Sequence, residues 1–142
     1  MRFEPPAVVR LAEHVLVEME RTVRGFSRFH KYTVGTDLRQ RAKRVNELAI
    51  LAWRDAPLRA RWLRRLVFAV DGLKLDMQVA KRLQAFRRFA QFEALARDVS
   101  DLGRQCGGWQ RQILKGQNSR TRPSVGRAQI LSTRDASTGA NP

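Results

Sequence analysis

Few residues in this chain are of types that could catalyse a reaction or hold a metal. The chain has two histidines, His14 and His30, and one cysteine, Cys106. His14 follows Glu13 directly and precedes Glu18 by four residues. A metal site inside a helical bundle needs Glu-x-x-His pairs on facing helices, and the sequence contains no such pair. We therefore expect His14 to lie on a solvated, salt-bridging helix face, with no metal site and no cofactor.

Cys106 falls in the apolar register of a helical segment, so we expect it to behave as a small core residue. The chain contains no P-loop, no G-x-G-x-x-G and no Ser-x-x-Lys, and its carboxylates are scattered over predicted helix surfaces. The sequence therefore favours a non-catalytic protein. An enzyme with a site in the core of the bundle stays an alternative from another class, but no arrangement of residues supports it.

The basic residues are far more organised than the catalytic candidates. There are 28 Lys and Arg against 13 Asp and Glu, which gives a formal net charge of +15, and arginine supplies most of the excess. The planar guanidinium pairs two phosphate oxygens at once. An excess of this size favours a polyanion as partner: RNA, DNA or an anionic membrane. Residues 1–115 hold 24 of the basic and 12 of the acidic residues, so the excess is not confined to one terminus.

Several runs of these cations are candidates for binding nucleic acid. They lie near the starts of the second and third predicted helices and along the fourth, where three arginines repeat every seven residues. Nothing in the chain resembles a base-reading module, so we expect contacts mainly to phosphate, with little sequence preference. The candidate residues are Arg39, Arg41, Lys43, Arg44, Arg61, Arg64, Arg65, Arg97, Arg104, Arg111 and Lys115.

Hydrophobic periodicity predicts four helices that must position these side chains. They run from about Pro5 to Phe26, Asp37 to Arg54, Pro57 to Leu83 and Ala90 to Leu114. No segment alternates with period two for long enough to suggest a strand. Short connections favour an all-α fold, an up-down-up-down antiparallel four-helix bundle over residues 1–115.

Features at the helix ends refine this prediction. Thr36 is a good N-cap for the second helix. Gly103 and Gly107 share one face of the fourth helix, at a cost in helix propensity that close approach of a neighbouring helix, in this chain or another subunit, would offset.

Residues 116–142 are rich in Gly, Ser, Thr, Asn and Pro, and we expect them to form a disordered basic tail. The N-terminal residues lack the apolar run of a signal peptide, and no stretch approaches 18 uninterrupted apolar residues. We therefore expect a soluble, cytoplasmic protein with no membrane partner.

Two segments carry a resemblance to a known family. They are Phe29–Arg39, which contains HKYTVG, and Leu102–Trp109, which contains GRQCGGW. Together, and at this distance apart, they resemble the Avd proteins, the accessory variability determinants of diversity-generating retroelements. Avd proteins are in turn similar to four-helix proteins encoded in ribosomal-RNA intervening sequences. The resemblance covers about residues 5–115 and implies the same order of four helices.

The resemblance implies a function as well as a fold. Avd proteins form a homopentameric, barrel-like ring with a basic surface and bind the reverse transcriptase of the element and its template RNA. The complex makes error-prone cDNA, and the accessory protein has no active site of its own. The chain would thus be a non-catalytic accessory subunit with the transcriptase, template RNA and cDNA as partners, and a homo-oligomer. The alternative is a stand-alone four-helix RNA-binding protein of the intervening-sequence type.

Overall fold

The structure, a computed structural model, describes residues 4–121, with side chains described to residue 117. It is all-helical over this range, with no strand among the residues described. Four long helices carry the fold, with one short helix and one 3₁₀ turn in the connections. In chain order the elements are α1 (Ala7–Arg24), α2 (Arg28–Lys31), α3 (Val34–Arg54), the 3₁₀ turn (Ala56–Leu58), α4 (Arg59–Arg82) and α5 (Phe89–Thr121).

The long helices pack in the predicted up-down-up-down order. Helix α3 contacts α1 on one side and α4 on the other, and α4 contacts α5. The antiparallel directions show in the ion pairs between neighbours: Arg39 at the start of α3 meets Glu20 near the end of α1, and Arg41 meets Asp76 near the end of α4. The four-helix bundle predicted from the sequence is therefore confirmed.

The core consists of the four predicted apolar seams. A side chain repeating every three or four residues returns to the same face of a helix, and these positions are buried in all four long helices. The most enclosed side chains include Met19, Leu38, Leu63, Leu73 and Leu102, each with essentially no exposed surface. Burial of such side chains is the main source of stability for a bundle of this size.

The connection between α1 and α3 differs from the prediction. Thr36 does not cap the helix, because α3 already begins at Val34 and Thr36 lies inside its first turn. The preceding segment forms the short helix α2, which Ser27 caps by accepting a hydrogen bond from the His30 backbone N–H at 3.4 Å. Gly35 permits this early start, because a Cβ there would lie 2.7 Å from Cγ1 of Val23 in α1.

The turn between α3 and α4 is closed by an arginine. Pro57 lies within the 3₁₀ turn, as expected for a residue without an N–H at a helix start. Arg59 then donates from Nε to the Ala52 carbonyl at 2.6 Å and from Nη2 to the Trp53 carbonyl at 2.8 Å. These carbonyls belong to the last turn of α3, where they have no partner within the helix, so Arg59 completes that helix end.

Helix α4 ends in a Schellman motif. The Ala85 N–H donates to the Ala80 carbonyl at 3.0 Å and the Gln84 N–H donates to the Lys81 carbonyl at 2.9 Å. Gln84 lies in the left-handed region with φ of 59°. Glycine is the usual residue there because a Cβ is disfavoured in this conformation.

The described chain divides into two compact units, residues 4–110 and Arg111 onward. The first unit contains the bundle. In the second, Arg111–Thr121 are helical, so the helix continues beyond Gly116, where the sequence predicts a tail. The remainder of the predicted disordered tail, residues 122–142, lies outside the described residues.

Candidate nucleic-acid interface

The histidine and carboxylate candidates form exposed surface pairs. His14 in α1 lies 3.1 Å from Asp98 in α5, Nε2 to Oδ2, in the wall of an open cleft of about 630 Å³. The prediction of an exposed position beside a carboxylate is confirmed, although that carboxylate belongs to Asp98 and not to Glu18, which pairs with Arg21 at 2.9 Å. Among residues 4–117, no three His, Cys, Asp or Glu side chains are grouped so that they could hold a metal ion.

Cys106 lies in the core, as predicted. Its side chain has no exposed surface. Burial raises the pKa of the Cys106 thiol from 9.0 to about 12, and the nearby ammonium group of Lys74 opposes that increase. A thiol with this pKa stays protonated at neutral pH and is a poor nucleophile. Cys106 is therefore a structural residue.

The candidate cations on α3 are exposed but largely engaged by neighbouring acids. Nε of Arg39 lies 3.0 Å from both carboxylate oxygens of Glu20 in α1. Arg41 pairs with Asp76 in α4. Arg44 lies 3.8 Å from Glu47 one turn further along α3. These three arginines are therefore partly neutralised by pairs within the protein.

Lys43 differs from the other α3 candidates. It is exposed and has no carboxylate within ion-pair distance among the residues described. It lies near Arg39 in a shallow groove beside Glu20. Within the α3 candidates, Lys43 is the cation most available to an external anion.

The three candidates on α4 form the clearest free cluster. Arg61, Arg64 and Arg65 are all exposed, and none pairs with a carboxylate in the part of the chain that the structure describes. Arg65 lies over the ring of Trp62, 5.5 Å from its centroid. The Trp62 indole N–H donates to Asp55 at 2.9 Å, which fixes the ring. Of the two acids nearest this cluster in sequence, Asp55 and Asp71, the first is thus already engaged by Trp62.

The candidates on α5 fall in both units. Arg97 is exposed and unpaired within residues 4–110, whereas Arg104 lies 2.9 Å from Asp101. Arg111 and Lys115 are exposed residues of the second unit.

The bundle does not bring the first unit's candidates onto one face. Helix α3 lies between α1 and α4. Helix α5 also contacts these two neighbours, through His14 on α1 and through the close approach of Gly103 to Val70 and Lys74 on α4. Since α3 and α5 share both neighbours, they are diagonal in the bundle and their outer faces point in opposite directions. The cations of α3 and those of α5 therefore lie on different surfaces of the bundle.

Helix α4 is the neighbour that approaches Gly103. A Cβ on Gly103 would lie 2.8 Å from Nζ of Lys74, the far end of a flexible side chain, and 3.6 Å from Cγ1 of Val70, an ordinary van der Waals distance. The neighbouring helix predicted for this glycine is thus α4 of the same chain, but its approach does not require a glycine at this position.

A further basic surface, absent from the sequence-based candidates, lies where two connections meet. Nε of Arg87, between α4 and α5, donates to the Gly25 carbonyl after α1 at 3.0 Å. The rings of Phe26 and Phe86 pack edge to face with centroids 5.3 Å apart. The sequence carries a signal for this surface, because no acid occurs between Glu20 and Asp37 or between Asp76 and Glu93.

No family model, curated protein or solved structure matched this chain when it was compared with each. The fold therefore defines the class of protein: an all-helical four-helix domain with exposed, partly unpaired arginines. Within residues 4–121, none of the helices combines the length and apolar character needed to cross a bilayer.

Proposed function

We propose that this chain is a non-catalytic accessory subunit that binds a reverse transcriptase and its template RNA and cDNA in a diversity-generating retroelement. The resemblance of the HKYTVG and GRQCGGW segments to Avd proteins supplies the specific function. The four-helix architecture agrees with it, because the same order of helices is expected of that family.

The observation that carries the nucleic-acid part of the proposal is the set of exposed cations without an internal counter-charge. Like charges oppose folding unless a counter-charge binds, and neighbouring acids within the bundle neutralise only some of the arginines. A guanidinium fork pairs bidentately with phosphate, the anion that a nucleic acid presents along its backbone. The candidate residues that remain unpaired among those described in the first unit are Lys43, Arg61, Arg64, Arg65 and Arg97.

A second apolar face on α4 supports the homo-oligomer. Phe68, Leu75 and Val79 are 80%, 68% and 53% exposed and lie on the side of α4 opposite its buried seam. Large apolar side chains grouped on a surface mark an interaction site. We assign this outer stripe to contact between copies of the chain, a pentamer being what the resemblance implies. Arg61 and Arg64 lie on the same side of α4, so they would lie at the edge of that contact.

The transcriptase contact is tested by co-expression. The genes next to that of the chain are searched for a reverse transcriptase; one that is found there is produced together with the chain, and a tag on the transcriptase is used for purification. The proposal expects the chain to co-purify and to retain template RNA after washing. If the chain binds RNA alone but does not co-purify with the transcriptase, the accessory role is wrong and the stand-alone RNA-binding alternative takes its place.

The RNA contact is tested by charge-matched variants. Arg61→Gln, Arg64→Gln and Arg65→Gln are combined, and RNA affinity is measured over a range of salt concentrations. Removing one phosphate-binding cation should reduce the slope of log affinity against log salt by about 0.7 on a single strand. The control combines Arg39→Gln, Arg44→Gln and Arg104→Gln, which removes the same formal charge from internally paired positions. Equal effects of the two triple variants would show that only net charge matters.

A further inference from the structure

One end of the bundle combines unpaired cations with exposed aromatic rings. We call it the aromatic–basic end and define it by Arg24, Arg28, Phe29, Lys31, Tyr32, Arg82, Arg87 and Arg88. The connection from α1 to α3 and the connection from α4 to α5 meet here. The hydrogen bond from Arg87 to Gly25 joins them, and beneath it Phe86 packs edge to face on both Phe26 and Phe92.

The charged side chains of the two connections at this end are all basic, although Arg88 also lines an open cleft together with Glu18 and Asp98. The two connecting segments contain no acid between Glu20 and Asp37 or between Asp76 and Glu93. Within residues 4–117, none of the end's arginines or lysines forms an ion pair with a carboxylate. The hydrogen bond from Arg87 to Gly25 and the contact of Phe26 with Phe86 join the two connections, so the cations of both belong to the same end of the bundle.

The aromatic rings at this end have no packing role that accounts for them. Phe29 is 72% exposed and Tyr32 is 67% exposed. They are three residues apart around the single turn of α2, which makes them neighbours on its surface. The ring of Phe29 makes an edge contact with His30 at 5.6 Å. The faces of both rings are therefore largely open to solvent, directly beside Arg28 and Lys31.

We propose that the aromatic–basic end binds unpaired nucleotides of a single-stranded nucleic acid. Bases stack on Phe29 and Tyr32 while the flanking phosphates pair with Arg24, Arg28 and Arg88. Exposed rings beside a positively charged surface are the combination with which proteins hold single strands without reading their sequence. Bases stacked within a duplex do not offer their faces in this way, so the site discriminates by strandedness.

This inference rests on the nucleic-acid part of the proposed function and not on the transcriptase. It also assigns a different surface from the Arg61–Arg65 cluster. The end contains the last residues of α4, whereas Arg61 and Arg65 lie in its first two turns. The two sites can therefore be tested separately.

The decisive experiment separates stacking from charge. Fluorescence anisotropy of the full-length protein is measured with a labelled oligouridine strand and with a labelled blunt RNA duplex. The Phe29→Ala/Tyr32→Ala variant should bind the single strand at least roughly thirtyfold more weakly, because each of the two stacked bases contributes about fivefold or more to affinity. Its duplex affinity and its salt slope should be unchanged, because no charge is removed.

Two further variants complete the test. Phe29→Tyr/Tyr32→Phe keeps both rings and should retain single-strand affinity. Arg24→Gln/Arg28→Gln/Arg88→Gln should weaken binding of both probes and flatten the salt slope on the single strand by about 0.7 for each phosphate that is no longer bound. Circular dichroism should show the same helical content in every variant, since all substituted side chains are exposed.

The outcomes distinguish the alternatives. If the alanine variant binds oligouridine as tightly as the parent, the stacking site is wrong, whereas RNA binding elsewhere on the bundle still stands. If it loses binding to an acidic protein partner but not to the single strand, the end is a protein-docking surface and the proposal is overturned. If single-strand binding falls as expected but the chain fails to co-purify with the transcriptase, the stacking site holds and the accessory role fails.

Discussion

Two glycines inside helices, Gly35 in α3 and Gly72 in α4, make different demands on the fold. A Cβ on Gly35 would lie 2.7 Å from Cγ1 of Val23 and 2.9 Å from the His30 carbonyl oxygen. A Cβ on Gly72 would lie 2.6 Å from Nη1 of Arg41, at the far end of a flexible side chain. The first conflict involves a buried side chain and the backbone, whereas the second can be relieved by rotation of the arginine.

We therefore predict opposite effects for the two alanine substitutions. Gly35→Ala should destabilise the bundle by about 1–3 kcal/mol, the usual cost of forcing extra atoms into a packed region. Gly72→Ala should be neutral or stabilising by up to about 1 kcal/mol, because alanine is the better helix former. Urea denaturation, monitored by circular dichroism, measures the free energy of unfolding of each variant. Equal destabilisation would mean that Arg41 is held as rigidly as the core.

Cys106 gives the chain a pH dependence that can be isolated. Its folded pKa of about 12 lies above the ordinary value of 9.0. Below pH 9 the thiol is protonated whether the chain is folded or unfolded. As the pH rises from 9 towards 12, the unfolded chain releases the proton while the folded chain retains it, so the free energy of unfolding falls.

The measurement compares the parent with Cys106→Ala, which has the same lysines and tyrosine. The free energy of unfolding, measured by urea denaturation, should fall more between pH 8 and pH 10.5 for the parent than for Cys106→Ala. Curves that fall in parallel would show that Cys106 does not experience the low-dielectric environment its burial implies.

At the scale of elements, hydrophobic periodicity predicted the four long helices and their buried faces. The conformations of the connections, by contrast, could be learned only from the structure. Val70 and Met77 are seven residues apart and therefore lie on the same face of α4, and such spacing can be read directly from the sequence. The start of α3 at Val34 depends on the packing of Gly35 against α1, which Thr36 as a capping residue does not reveal. Likewise, nothing local in the sequence indicates that Gln84 adopts the left-handed conformation.

The end of α4 provides a prediction with a matched control. Gln84→Gly should stabilise the bundle by about 1 kcal/mol, because glycine occupies the left-handed position of a Schellman motif without the steric cost of a Cβ. Gln78→Gly, an exposed position inside the same helix, should destabilise by about 1 kcal/mol. The urea concentrations at which the two variants are half unfolded should therefore shift in opposite directions from that of the parent. Destabilisation by both would contradict the φ of 59° at Gln84.

At the scale of the whole molecule, the charge of the candidate site was predictable but its arrangement was not. Every candidate from Arg39 to Lys115 is exposed, as an amphipathic pattern requires. Two of the paired cations, Arg44 and Arg104, meet an acid three residues away in the same helix, and sequence spacing can indicate such pairs. The pairs of Arg39 with Glu20 and of Arg41 with Asp76 join different helices, and spacing within one helix says nothing about these. Aromatic and basic residues alternate in the sequence around Lys31 and around Arg87, where base stacking is a possible but weaker interpretation than packing. Only the fold brings these two connections together at one end, so the aromatic–basic end is not among the sequence-based candidates.

The outer stripe of α4 carries the last prediction, which concerns assembly. Phe68 and Leu75 are two turns apart on a face that the bundle leaves uncovered, so a monomer would expose both to water at a cost that association removes. Light scattering of the purified chain should give the mass of an oligomer, which is several times the monomer mass of 16.3 kDa. Phe68→Ser/Leu75→Ser should shift it to a helical species of lower mass.

The control for assembly is Ile50→Ser/Leu58→Ser, which removes two partly exposed apolar side chains from α3 and the 3₁₀ turn and should leave the mass unchanged. Single-strand binding by the Phe68→Ser/Leu75→Ser variant should persist at reduced apparent affinity, because each copy keeps its own aromatic–basic end but no longer benefits from several linked sites. A parent chain that is monomeric at micromolar concentration would exclude the ring and would contradict the assignment of the stripe to contact between copies of the chain.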